Sequence, residues 1–121
     1  MAHDRLLELT EKLLKDLAFL RRKFEEVRTT GEKGDFFKDV KPFADEIDGR
    51  KEEWKSLVLR WLKEMKPANL HENQIVSVCE QIETLSVQAF YPETSRKRFL
   101  DSYRSALYIL QTVHEKILEE G

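Results

Sequence analysis

Cysteine, proline and glycine are scarce in this 121-residue chain, and each shortage narrows what it can be. With one cysteine, Cys79, an intrachain disulfide framework is excluded. No apolar run approaches the roughly 18 residues that a membrane span requires. The opening MAHDRLLELTEK turns charged and amphipathic at once, unlike a signal peptide. Together these features predict a soluble, reduced, cytoplasmic protein with no membrane partner. Three prolines and four glycines leave few places where a helix must stop. The net charge of −2 supplies no global attraction to nucleic acid or anionic lipid. Basic residues cluster at Arg21 to Lys23 and at Arg96 to Arg98, but acidic residues intersperse and no nucleic-acid-binding motif appears.

What the chain has in quantity is charge interleaved with apolar residues, 36% against 40%. That balance suits helices with highly charged outer faces, and the length suits one domain over residues 1–121 with a core that needs neither disulfide nor metal. The strongest pattern is Trp54, Leu57, Val58, Trp61, Leu62 and Met65, a continuous stripe at helical spacing that holds both tryptophans. Lys55, Ser56, Arg60, Lys63, Glu64 and Lys66 form its wet side, so other helices must cover the stripe.

Three further segments repeat the pattern. Residues 4–28 place Leu6, Leu9, Leu13, Leu17, Leu20, Phe24 and Val27 on one face, with Leu7 and Leu14 widening it. Residues 29–34, TTGEKG, read as an exposed turn. Asp35 is a good N-cap for the second segment, which meets Pro42, where a kink or a split is expected, and then weakens at Asp48 and Gly49 before Trp54. Pro67 ends it. Residues 71–91 carry Ile75, Val78, Cys79, Ile82, Leu85, Ala89 and Phe90. Thr94 or Ser95 caps a fourth segment with Phe99, Tyr103, Ala106, Leu110, Val113 and Ile117 inward and Leu100, Leu107 and Leu118 on its flank. Four amphipathic segments joined by short breaks predict an all-α, up-down-up-down antiparallel four-helix bundle, its second helix kinked or split near Pro42.

Particular blocks also carry a resemblance. DFFKDVKPF at Asp35 to Phe43, Trp54, the Pro67 break leading into LHENQI, and KRFLDSYRSALYIL at Lys97 to Leu110 resemble the YppE-like proteins. These are small, uncharacterised four-helix-bundle proteins of Bacillus-type Gram-positive bacteria. The resemblance runs from the first segment to Ile117. It implies the bundle fold and a cytoplasmic bacterial setting, and it transfers no catalytic or binding residue.

Catalytic and metal constellations are missing from the pattern. A di-iron bundle needs inward Glu and two Glu-x-x-His pairs, yet Gln111 and Ala68 stand three residues before His114 and His71. Zinc-protease spacing fails because Ile75 and Leu118 occupy the positions four after those histidines. His71 reads as a helix entrance, His114 as a flank residue and Cys79 as a buried, inert thiol. No nucleophile elbow or phosphate-cradling glycine loop is present. The chain therefore reads as a non-enzyme without a cofactor.

Two functional readings follow. The first is a non-catalytic protein-interaction module, a monomer or weak dimer with a protein partner. Its candidate surface is Phe36 and Phe37 beside Pro42, with Tyr91 and Tyr108 near helix ends, aromatic residues that four helices do not obviously cover. The alternative is a bundle that binds a small anion or phosphorylated ligand at Ser95, Arg96, Lys97 and Arg98. Three cations in the first turn of a helix oppose its dipole unless a negative charge lies close by. Pairing with Glu93 or Asp101 would account for them without any ligand.

Overall fold

The computed structural model describes residues 3–33 and 35–120, so the expected turn glycine Gly34 lies outside the described residues. Four helices account for nearly all of it: α1 (Asp4–Thr30), α2 (Lys41–Met65), α3 (Glu72–Gln88) and α4 (Arg96–Glu120). Among the described residues there is no strand. Each helix packs on its neighbours in the sequence and α4 closes against α1. Cross-helix partners fix the antiparallel order. Thr10 meets Trp54, Lys51 meets Glu83, Gln81 meets Ser105, and both Glu11 with His114 and Glu25 with Arg96 bridge α1 and α4.

The helix ends follow local chemistry. After α1, Gly31 takes φ 71° and returns its N–H to the Val27 carbonyl at 2.8 Å, a left-handed stop that glycine adopts without steric cost. Lys66, at φ 46°, ends α2 in the same way before Pro67. His71 opens α3 in an extended conformation, its N–H held by the Gln74 side chain at 2.6 Å. Ser95 opens α4, its carbonyl accepting from Phe99 N–H at 3.0 Å and its hydroxyl from Arg98 N–H at 3.3 Å.

Segment two is neither split nor broken. A π-helical turn, Phe36–Val40, runs directly into α2, with Pro42 as the second residue of that helix. In α geometry the proline ring would press on the carbonyl four residues back. The wider turn, in which Lys41 N–H bonds the Phe36 carbonyl, precedes that position and leaves the missing donor of Pro42 in a first turn where it is least needed. Asp35 caps this turn by accepting from Phe37 and Lys38 N–H at 3.0 and 2.9 Å, while Asp39 accepts from Asp35 N–H at 3.0 Å. Asp48 and Gly49 do not interrupt α2.

The core is continuous along all four helices and contains the predicted leucines of α1, both tryptophans, the α3 stripe and the inward residues of α4. Phe24 and Phe99 stack at 4.0 Å between α1 and α4. One expectation fails at a helix end: Met65, the last residue of α2, is exposed, as is the flank residue Leu118 in the last turn of α4. A stripe that is correct in phase still loses its cover in a terminal turn, where no neighbouring helix continues alongside. Buried polar residues were not foreseen. Thr10 accepts the Trp54 indole N–H at 2.9 Å and donates to the Leu6 carbonyl at 2.7 Å. Trp61 Nε1 and Gln81 Oε1 are buried without a hydrogen-bond partner, a state that costs about 1–3 kcal/mol per group.

Candidate functional site

One end of the bundle gathers most of the sequence-predicted surface residues. The antiparallel order brings the end of α1, the π turn, the end of α3 and the start of α4 to the same end. Phe36 and Phe37 pack on each other edge to face at 5.2 Å, yet remain 48% and 76% exposed. The Asp35 cap holds their backbone in a fixed turn, so both rings are presented from an ordered element. In the same half, the partly exposed Phe19 packs on Phe43 at 4.9 Å and Phe43 approaches Phe90 at 6.0 Å, an aromatic line running from α1 across α2 to the end of α3.

The other two aromatic candidates separate. Tyr91 is half-buried against the core with Lys33 Nζ 5.7 Å over its ring, so it is largely withdrawn from the surface. Tyr108 is 67% exposed but lies midway along α4, not near an end. It is spatially apart because residue 108 is three turns beyond the start of that helix.

At the basic turn the structure supplies local partners. Arg96 pairs with Glu25 of α1 at 2.5 Å and Lys97 with Asp101 at 3.1 Å. Glu93 instead meets Lys33 at 3.9 Å. Ser95 is occupied as the cap. Among the described residues Arg98 alone of the three cations has no carboxylate partner, and Arg28 adds a bond to the Thr94 carbonyl at 2.8 Å. The dipole conflict at this helix start is thus offset from across the α1 and α4 seam by Glu25, a contact that sequence spacing could not show.

A second cluster escaped sequence reading altogether. Lys51 is 1% exposed, and its ammonium bonds Asp48 at 2.7 Å, Glu52 at 3.1 Å and Glu83 of α3. Burial pulls the pKa of this lysine down, but the hydrogen bonds that it donates to Asp48, Glu83 and Glu52 outweigh it and hold the group above its ordinary value. The three carboxylates are near enough to one another to share a cation, and the ammonium is placed among them. No sequence signal marks Lys51 as inward except its position three before Trp54, on the buried face.

The remaining candidates take structural positions. His71 is the residue before α3, and His114 Nε2 meets Glu11 at 3.1 Å. Cys79 is buried, and burial pushes its thiol up to about 11. The folded protein should therefore react with a disulfide reagent at neutral pH far more slowly than the urea-unfolded chain, with a rate that climbs as pH approaches that value. Equal rates folded and unfolded would place the thiol at the surface. Among the described residues no helix is long and apolar enough to cross a membrane.

Comparison with known proteins agrees with this architecture along its length. A family model described as a bacterial domain of unknown function, DUF1798, matches residues 10–117. The uncharacterized protein YppE of Bacillus subtilis is 29% identical over 120 residues, which is 99% of this chain and 98% of that protein. The crystal structure of B. subtilis YppE aligns with a TM-score of 0.94 at 29% identity, covering 99% of this chain and 98% of that one. A Listeria innocua protein of unknown function aligns at 0.90 with 32% identity, covering 97% and 95%. A DUF1798 domain from Staphylococcus aureus aligns at 0.82 with 26% identity, covering 91% and 93%. Matched from the second turn of α1 to the last turns of α4, and sharing the bundle of YppE, this chain belongs to the bacterial DUF1798 family.

Proposed function

We propose that the protein is a non-catalytic interaction module that offers Phe36 and Phe37 to a protein partner. One observation carries the reading: two large aromatic rings stand exposed side by side on a capped, ordered turn. Fully burying a phenylalanine is worth roughly 1.5–3 kcal/mol, of which Phe37 forgoes most and Phe36 about half, and aromatic side chains of this kind are enriched where partners dock. The alternative anion reading is less well supported. Glu25 and Asp101 already stand against Arg96 and Lys97, which leaves Arg98 as the one cation of the turn without an acidic partner among the described residues.

The test is photocrosslinking in the living bacterium with benzoylphenylalanine at position 37, compared with the same residue at exposed positions 22 and 108. A discrete protein adduct from position 37, absent from position 22, is the expected result. Crosslinking only from position 108 moves the interface to Tyr108, and identical patterns from all three positions remove the interface altogether.

A further inference from the structure

The end of the bundle that carries Phe36 and Phe37 differs in charge from the rest of the chain. Phe19 against Phe43, Phe43 beside Phe90 and Arg21 over the Tyr103 ring mark its lower edge on the four helices, so it comprises residues 21–43 and 90–103. Ten Lys and Arg stand there against seven Asp and Glu, whereas the whole chain has 21 against 23 and the remainder is acidic. Pairing sharpens the difference. Glu25, Glu26, Glu93 and Asp101 each meet a cation of this same end. Asp35 and Asp39 turn their oxygens to backbone N–H groups at the π turn. Of the seven acids, only the exposed Glu32 has neither a cation nor a cap to satisfy among the described residues.

The cations are left over. Arg21, Arg22, Arg28, Lys38 and Arg98 have no acidic partner among the described residues. Arg21 lies 5.3 Å over Tyr103 and Arg28 donates to the Thr94 carbonyl, contacts that hold each side chain without neutralising it. Lys38 directly follows Phe37 and is exposed like it. Lys33 reaches from the loop before the π turn to Tyr91 and Glu93, which ties the aromatic turn to the connection that leads into α4. An exposed aromatic pair on an end with surplus positive charge attracts a partner of opposite sign and repels a basic one. A flat anionic bilayer fits less well, because the carboxylates of Asp35 and Asp39 sit in the same turn as the rings and would be pressed against lipid head groups. A protein segment can set its acids against Lys38 and clear of those carboxylates. On the reading of Phe36 and Phe37 as an interface, we infer that the docking segment of the partner protein is acidic, with an apolar anchor on the two rings and flanking Asp or Glu toward Lys38 and the Arg98 side of the end.

The experiment identifies, by mass spectrometric sequencing, the partner peptide joined to benzoylphenylalanine at position 37 of the full chain in the living bacterium. The expected peptide carries more Asp and Glu than Lys and Arg within about ten residues of the joined one. In parallel, Lys38→Glu combined with Arg98→Glu should lower the yield of that adduct about tenfold or more, while Lys63→Glu, near the far end of α2, leaves it unchanged. All three positions are exposed, and the peptide sequence is read without any of these substitutions. A neutral or basic partner peptide, or an adduct indifferent to the double reversal, overturns the acidic assignment and leaves the interface at Phe37 standing. Lipid joined in place of peptide overturns it in favour of an anionic membrane. No adduct at position 37 removes the interface itself, and the acidic segment with it.

Discussion

Replacing Trp54 by Ala lowers the free energy of unfolding by about 3–5 kcal/mol, a large share of what a domain of this size has in hand. The side chain is fully buried at the centre of the stripe, so the substitution forfeits the apolar contacts of an indole and leaves a cavity between α1 and α2. It also removes the indole N–H from the Thr10 hydroxyl, which keeps only its bond to the Leu6 carbonyl. The measurement is the urea midpoint at constant slope. A companion variant separates polar from apolar loss: Thr10→Val keeps the volume, removes the acceptor and should cost about 1–3 kcal/mol, the penalty of a buried donor without a partner. Because both changes act on one contact, the double variant should fall short of their sum. Full additivity would mean that the hydrogen bond contributes nothing.

Lys51→Met is the second large effect. The side chain is packed out of water and ties α2 to α3 through Glu83, so methionine conserves most of the stem while deleting the charge. Breaking a buried ion pair costs about 3–5 kcal/mol. Here the three carboxylates are more than half exposed, and screening brings the expected loss to about 1–3 kcal/mol. The pH dependence has a definite sign. A lysine whose folded pKa lies above its unfolded value contributes fully at every pH below the unfolded value and loses that contribution as pH rises through the folded one. The gap in stability between parent and Lys51→Met should therefore stay constant from neutrality to about pH 10 and narrow above it. A gap that never narrows at high pH would assign the loss to packing around the stem, and one that closes below pH 9 or so would mean that the carboxylates do not hold the ammonium above its ordinary value. In the variant, Asp48, Glu52 and Glu83 face one another without their cation, so divalent salt should raise its midpoint more than that of the parent.

Periodicity alone determined the class of fold and most of the core. Leu6 to Val27, the tryptophan stripe, Ile75 to Phe90 and Phe99 to Ile117 repeat every three or four residues, and a 3.6-residue period converts that spacing into one buried face whatever the neighbours are. The caps were equally local: Asp35, Gly31 and Pro67 act through bonds or clashes within a few residues of themselves. Pro42 was legible as a disturbance, but its outcome as a π turn instead of a split depended on the backbone widening before it. What the tertiary structure alone decided was everything set by register between helices. The inward turn of Lys51 toward Glu83, Glu25 against Arg96, Lys33 over Tyr91, and the contrast between a satisfied Trp54 and an orphaned Trp61 each join residues more than 30 positions apart. Spacing along one helix fixes which face is apolar, whereas the partner of a polar atom is fixed by how far one helix slides along the next, and that is set only when the whole core packs.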